Sequence, residues 1–118
     1  MPYVDGYVIP IKKNQVPAYK RIASKAGKIW REHGALEFRE CVGDDLNTNM
    51  GIIFPKLVKL KRNETVLFSW VVYKSRASRD KVNAKVFKDP RMQKIMKLAM
   101  VFDVKRMSYG GFTTIVDL

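Results

Sequence analysis

A single cysteine, Cys41, and a single histidine, His33, stand among 118 residues, and that scarcity removes several chemistries at once. Cys41 has no partner for an internal disulfide, so a reducing compartment is the simpler setting. One histidine with one cysteine makes a poor zinc set. There is no CxxC, no phosphate-binding or dinucleotide glycine loop, and no Ser-His-Asp order. No apolar run approaches the ~18 residues of a membrane helix, and Met1 to Asp5 lack a basic stretch leading into an apolar one. The expectation is a cytoplasmic protein with no membrane contact, no metal and no cofactor. Negative charge is also scarce: 23 Lys and Arg face 11 Asp and Glu, a formal net charge of +12. Such a field draws anionic partners but does not determine fold, and a solvated basic surface is its plain reading.

What is present is organised around Thr65 to Tyr73, TVLFSWVVY. β-branched and aromatic residues favour a strand here. Leu67, Val71 and Tyr73 are apolar at odd positions, and Val66, Phe68, Trp70 and Val72 at even ones. A strand with one wet face would alternate, so this one requires cover on both sides.

The remaining segments follow in order. Residues 3–11 read as a first strand with Tyr3, Asp5, Tyr7, Ile9 and Ile11 on one face; Gly6 marks a bulge or close packing, and Pro10 the strand's approaching end. Asn14 reads as a helix cap with Pro17 in the first turn. Tyr19, Ile22, Ala23, Ala26 and Trp30 then recur at helical spacing, and Gly34 ends the helix. Ala35 to Val42 form a second strand, with Leu36, Phe38 and Val42 opposite Glu37, Arg39 and Cys41. Glu40 falls on the apolar side, so a bulge is expected to turn it outward; if it is buried, it needs a partner or its pKa must rise.

Residues 43–63 are irregular, with a short helix at Phe54, Leu57 and Val58. Ser75 caps a helix burying Val82, Val86 and Phe87. Asp89-Pro90 starts another, with Met92, Ile95, Met96 and Ala99 inward. Arg106 to Phe112 read as the last strand, with Met107 and Tyr109 opposite Ser108, bent or closely approached at Gly110-Gly111, and the tail TTIVDL continues it or reaches a partner.

The order β-α-β-β-α-β predicts an α+β, ferredoxin-like domain over residues 1–118, a four-stranded antiparallel sheet with helices on one face. Its other face is then left for a second copy, giving a homodimer packed sheet to sheet.

Five strings carry a resemblance: YVDGYVIP, GAL-x-x-x-ECVGDD, ETVLFSW, DPRM and KRMSYGGF. Together and in this order they resemble the YbaA-like family of small bacterial proteins of unknown function. The resemblance spans nearly the whole chain and implies a dimeric α+β barrel, with no established catalytic residues to carry over. The strings map onto Glu40, Cys41, Asp44 and Asp45, onto Ser69 and Trp70, onto Arg91 and Met92, and onto Arg106, Tyr109 and Gly110. Residues 47–62 match less well and are unusually basic.

Three chemistries deserve weighing. Glu40, Asp44 and Asp45 flank Cys41 and could hold a metal or act as a base, although a turn built by Asp44-Asp45 explains them as simply. A ligand cavity between sheet and helices would draw on Tyr7, Glu40, Cys41, Trp70 and Tyr109, with Arg106 anchoring an anion, although rings at such positions commonly form plain core. A ferredoxin-like sheet bearing rings is also similar to RNA-recognition domains. The basic-aromatic string of those domains belongs on the third strand, where this chain has ETVLFSWVV. Any nucleic-acid contact would therefore be weak, electrostatic and independent of sequence, through Lys56, Lys59, Lys61 and Arg62.

Overall fold

Side-chain alternation along four strands decides where everything else lies. The computed structural model describes residues 1–98 and 101–118. Its strands are β1 (Tyr3–Lys12), β2 (Glu37–Val42), β3 (Glu64–Tyr73) and β4 (Ser108–Thr113); its helices are α1 (Val16–Glu32), α2 (Phe54–Leu57), α3 (Arg76–Lys88) and α4 (Pro90–Met96). All pairings are antiparallel, in the order β2-β3-β1-β4. This is the ferredoxin-like βαββαβ plan, with the first and third strands central as the sequence predicts.

The β1–β3 register runs unbroken from Tyr3↔Tyr73 to Lys12↔Glu64. It puts Ile9, Ile11, Leu67, Val71 and Tyr73 on one face, where all are buried. Burying such a side chain contributes about 1.5–3 kcal/mol. Two clusters form beneath the helices. One joins Ala26 and Ile29 of α1 to Val71, Tyr73, Val82, Val86 and Met92; the other joins Ile9, Ile11 and Leu67. Tyr7 packs against both.

Local signals explain most helix ends. The Ser75 side chain accepts from the Ser78 N–H at 3.1 Å, and the Asp89 carboxylate accepts from the Arg91 N–H at 2.9 Å with Pro90 following. Gly34, at φ 121°, turns the chain out of α1.

Several expectations need correction. Asn14 does not cap α1: residues 13–15 make a 3-10 turn, and Lys13 N–H donates to the Asn63 carbonyl at 2.9 Å. Gln15 takes the cap position without a side-chain bond. Of the two expectations for Gly6, the bulge fails and close packing holds: the Phe112 ring sits 3.4 Å from where its Cβ would be. Pro10 does lie near the end of β1, two residues before Lys12, and its missing N–H falls where β1 has a single neighbour, since β4 pairs only as far as Val8. β2 is also unbulged, running from Glu37↔Val72 to Val42↔Leu67. Glu40 therefore stays on the helix side. Leu36 and Phe87 are exposed, the latter with its ring edge-on to Trp30 at 5.8 Å. Met107 precedes β4, following a 3-10 turn over Val104–Arg106. Ala99 lies outside the described residues.

The second face of the sheet carries Val4, Gly6, Val8, Phe68, Trp70, Gly110 and Phe112. Phe68 is 46% exposed and Phe112 61%. Among the described helices α2 leans over this face, with Phe54 edge-on to Phe68 at 6.1 Å.

Gly111 opposes Asp5 in the β1–β4 register, and a Cβ there would collide with the Tyr3 hydroxyl and the Arg79 guanidinium. Both are tips of long side chains, but Arg79 is bound to buried Asp5 and cannot yield freely. Gly111→Ala should therefore cost about 1–3 kcal/mol in chemical denaturation. The cost should shrink when Asp5→Asn has already loosened the pair. An unchanged denaturation midpoint would contradict this packing.

Candidate functional site

Between the two core clusters lies a cavity of about 200 Å³. β1 contributes Tyr7 and Ile9, α1 contributes Tyr19, Ile22, Ala23, Ala26 and Trp30, and β2 contributes Phe38 and Glu40. Val71, Ile95, Met96, Val101, Phe102 and Met107 complete the wall. The helical stripe read from the sequence is thus the cavity's roof. Small residues explain the gap: Ala23 and Ala26 leave space where a larger side chain would reach the sheet. Aromatic pairs brace the edges, Tyr19 with Phe102 at 5.7 Å and Trp30 with Phe38 at 5.9 Å.

Glu40 is the only carboxylate among the described lining residues. The Tyr19 hydroxyl donates to its Oε2 at 2.5 Å, and the Ser69 hydroxyl donates to the same oxygen at 3.0 Å. The first lies in the range of charge-assisted O–H···O⁻ bonds. Among the described residues no donor engages Oε1.

Glu40 is exposed along an edge strand, and it borders both the cavity and the groove beside β2. Loss of hydration is the largest influence and raises its pKa; the bonds from Tyr19 and Ser69 favour the charged form and offset only part. Burial also pushes the phenols of Tyr7 and Tyr19 upward, with the Glu40 charge adding to the shift at Tyr19. Both therefore remain protonated donors at neutral pH, while Glu40 is the group able to change state.

A second acid lies deeper on the same face. Asp5 is fully buried, and Arg79 Nε donates to its Oδ1 at 3.1 Å. Its Oδ2 has no hydrogen-bond partner. Arg79 also sits over the Tyr3 ring at 5.0 Å. Tyr109 stacks on Tyr7 at 4.8 Å, linking this ion pair to the cavity wall. Nearby, Asn83 Oδ1 accepts from Trp30 Nε1 at 3.1 Å and from the Tyr73 hydroxyl at 3.0 Å.

The residues singled out in the sequence do not all converge. Tyr7 and Glu40 line the cavity, and Tyr109 backs Tyr7. Trp70 and Cys41 alternate to the other sheet face, although Cys41 also borders a groove along β2. Arg106 does not reach the cavity. Its guanidinium grips Glu64 at 2.7 and 3.0 Å and the Lys59 carbonyl at 3.1 Å.

Lys56, Lys59, Lys61 and Arg62 are exposed on α2 and the turn before β3. Asp44 and Asp45 are exposed after β2, and no metal-holding group of His, Cys, Asp or Glu occurs among the described residues. His33 caps α1 and bonds Asp89 at 2.8 Å. Reading the sequence missed Tyr19, Ser69 and Arg79 as polar partners. The available signal was a charge in each apolar alternation, Asp5 in β1 and Glu40 in β2.

Among the described residues no helix is long and apolar enough to cross a membrane. Residues 2–104 match the family described as "Protein of unknown function (DUF1428)". The chain is 42% identical to the uncharacterised protein YbaA of Escherichia coli over 117 residues, 99% of each chain. Among solved structures, a mutant of SnoaB, a cofactor-independent oxygenase from Streptomyces nogalater, aligns with a TM-score of 0.63 at 12% identity, covering 99% of this chain and 96% of that one. A dimeric ferredoxin-like protein from an uncultured marine organism aligns with a TM-score of 0.54 at 13% identity, covering both chains entirely. These two likenesses establish the fold alone.

The raised pKa of Glu40 has a stability consequence of definite sign. Its contribution is fully present below the unfolded value, about 4.3, and is lost as pH rises through the folded one. Asp89 and Glu64 act oppositely: the bonds from Arg91 and Arg106 hold their pKa values down, so their contributions fade as pH falls. Subtracting the Glu40→Gln profile isolates Glu40. Melting curves should show wild type losing ground to the variant as pH rises above the unfolded value, about 4.3; parallel profiles would place the carboxylate in water.

Proposed function

The chain belongs to the DUF1428 family, and from that premise we propose that it binds a small, largely apolar organic molecule bearing one acidic hydroxyl, in the cavity beside Glu40. The observation that carries this reading is the bonding at Glu40. Both protein donors fall on Oε2, which leaves Oε1 free to accept from a ligand in the adjoining apolar, ring-lined cavity. Ligand sites commonly combine apolar walls with a few placed polar groups. An incoming hydroxyl would meet a carboxylate whose raised pKa makes it a willing proton acceptor. SnoaB is described as an oxygenase that needs no cofactor, but one fold hosts many reactions, so its activity supports only the idea that this architecture admits organic ligands.

We further propose that two copies pair through the uncovered sheet face. Phe68, Trp70 and Phe112 form a contiguous apolar surface there, and the marine neighbour is described as dimeric. Weak nucleic-acid contact draws support only from the exposure of Lys56, Lys59, Lys61 and Arg62. In a sheet-to-sheet dimer the rings on that face are unavailable to stack bases.

Trp30 reports on the cavity, and a Trp70→Phe background leaves it as the sole tryptophan. Titration with phenols and 2-naphthol should change its emission. Ala23→Phe, which fills the cavity, should weaken binding roughly tenfold or more, a loss of about 1.4 kcal/mol, with the circular dichroism of a folded protein. No response to any of these probes, or equal binding by the filled variant, would refute the cavity reading. Sedimentation should find a dimer. Trp70→Ala should cost about 3–5 kcal/mol, part of it appearing as dissociation; a wild-type monomer with Trp70 open to quencher would refute the pairing.

A further inference from the structure

The cavity does not end at Glu40. A groove of about 800 Å³ continues from it between α1 and the β2 edge, sharing Tyr19, Ala23, Phe38 and Glu40 with the cavity wall. Val42 and Leu67 make its floor apolar. One wall is the ridge of α1 bearing Lys20, Ser24 and Lys28 at four-residue intervals, so the two ammonium groups stand on the same side.

The groove's other charged side chains are held in place. Glu32 is bound by Arg91 at 2.6 Å, and the Arg31 guanidinium donates to the Leu36 carbonyl. Among the described residues no ion pair engages Lys20 or Lys28. The combined space is therefore polarised, with one raised-pKa acid at the junction, an apolar floor, and along the outer wall Lys20 and Lys28, with Arg31 held beyond them by the Leu36 carbonyl.

We propose that the ligand is amphipathic: its apolar, hydroxyl-bearing body fills the cavity, and a tail ending in a carboxylate lies along the groove within reach of Lys20 and Lys28. This deepens the cavity reading and rests on it. Glu40 repels an anion from the inner end while the lysines attract it at the outer one, so charge alone fixes which end enters first. A neutral ligand of the same shape lacks that directional preference. The lysines act at an exposed wall, where an ion pair is worth a modest, salt-sensitive gain.

The test uses matched probes on the full chain: 6-hexyl-2-naphthol, and 6-hydroxy-2-naphthyl alkanoates with two, four or six methylenes, followed by Trp30 emission in the Trp70→Phe background. At low salt one of the longer alkanoates should bind more tightly than its neutral counterpart. Lys20→Gln and Lys28→Gln, which keep good helix formers on α1, should each remove about 1.5- to fivefold of that affinity. Both should leave 6-hexyl-2-naphthol binding unchanged. High salt should erase the difference between the probes.

If every alkanoate binds no better than the neutral compound, or the lysine variants weaken both classes equally, the groove assignment falls while the cavity stands. If neither class binds, the cavity reading falls as well.

Discussion

The constraint on which this molecule depends is the uninterrupted register of β3 between β1 and β2. Ten consecutive pairs with β1 and six with β2 leave no bulge at which a side chain could change faces. Parity is therefore enforced across the sheet. It sends Leu67, Ser69, Val71 and Tyr73 under the helices, and Phe68 and Trp70 to the side that one chain barely covers. It also forces Asp5 and Glu40 beneath the helices, because a one-residue slip would turn every neighbour outward with them. The apolar face outweighs the cost of two acids, and the protein must then answer for each.

That answer explains what the sequence made legible and what it hid. The element order, the central position of β3, the α1 stripe and the caps at Ser75 and Asp89 rest on local pattern, and local pattern reads directly. The fate of Glu40 did not. A bulge is the commoner escape for a misplaced charge, but here Tyr19 and Ser69 supplied donors from α1 and β3. Those partners lie 21 and 29 residues away, a separation that no local signal spans. The candidate pocket suffered in the same way. Trp70, Cys41 and Tyr109 all look suitable as residue types, but only the register reveals that the first two share a face opposite the third. Arg106 reads as an anion anchor until Glu64, 42 residues earlier, is found in its grip. Asn14 failed for a smaller reason: a 3-10 turn and a bond from Lys13 to Asn63 set the entry to α1.

The two acids were resolved differently, and this difference separates structure from chemistry. Asp5 is paired with a guanidinium, the partner best suited to a buried carboxylate. Removing either member would strand a charge, so the pair joins β1 to α3, and Arg79 and Tyr3 fill the space that a Cβ on Gly111 of β4 would need. Among the described residues no cation pairs with Glu40. Two neutral hydroxyls bond one of its oxygens, which lowers the cost of ionisation without cancelling it, and the balance leaves its pKa raised.

An acid held this way is costly unless the cost is used. A salt-bridged carboxylate is fixed in its charged state and gives up a proton too readily to accept one usefully. A carboxylate in water accepts one only under acid conditions. Glu40 lies beyond the second of these, its pKa raised above that of a carboxylate in water, held by donors that orient it and by a loss of hydration that discourages its charge. A ligand hydroxyl placed against Oε1 would supply the hydrogen bond that the protein omits, so ligand and carboxylate stabilise each other. Asp5, though more deeply buried and also left with an unbonded oxygen, is the weaker candidate for chemistry, because Arg79 pairs with it and it does not line the cavity. The acid of interest is the one that the fold positions but does not neutralise.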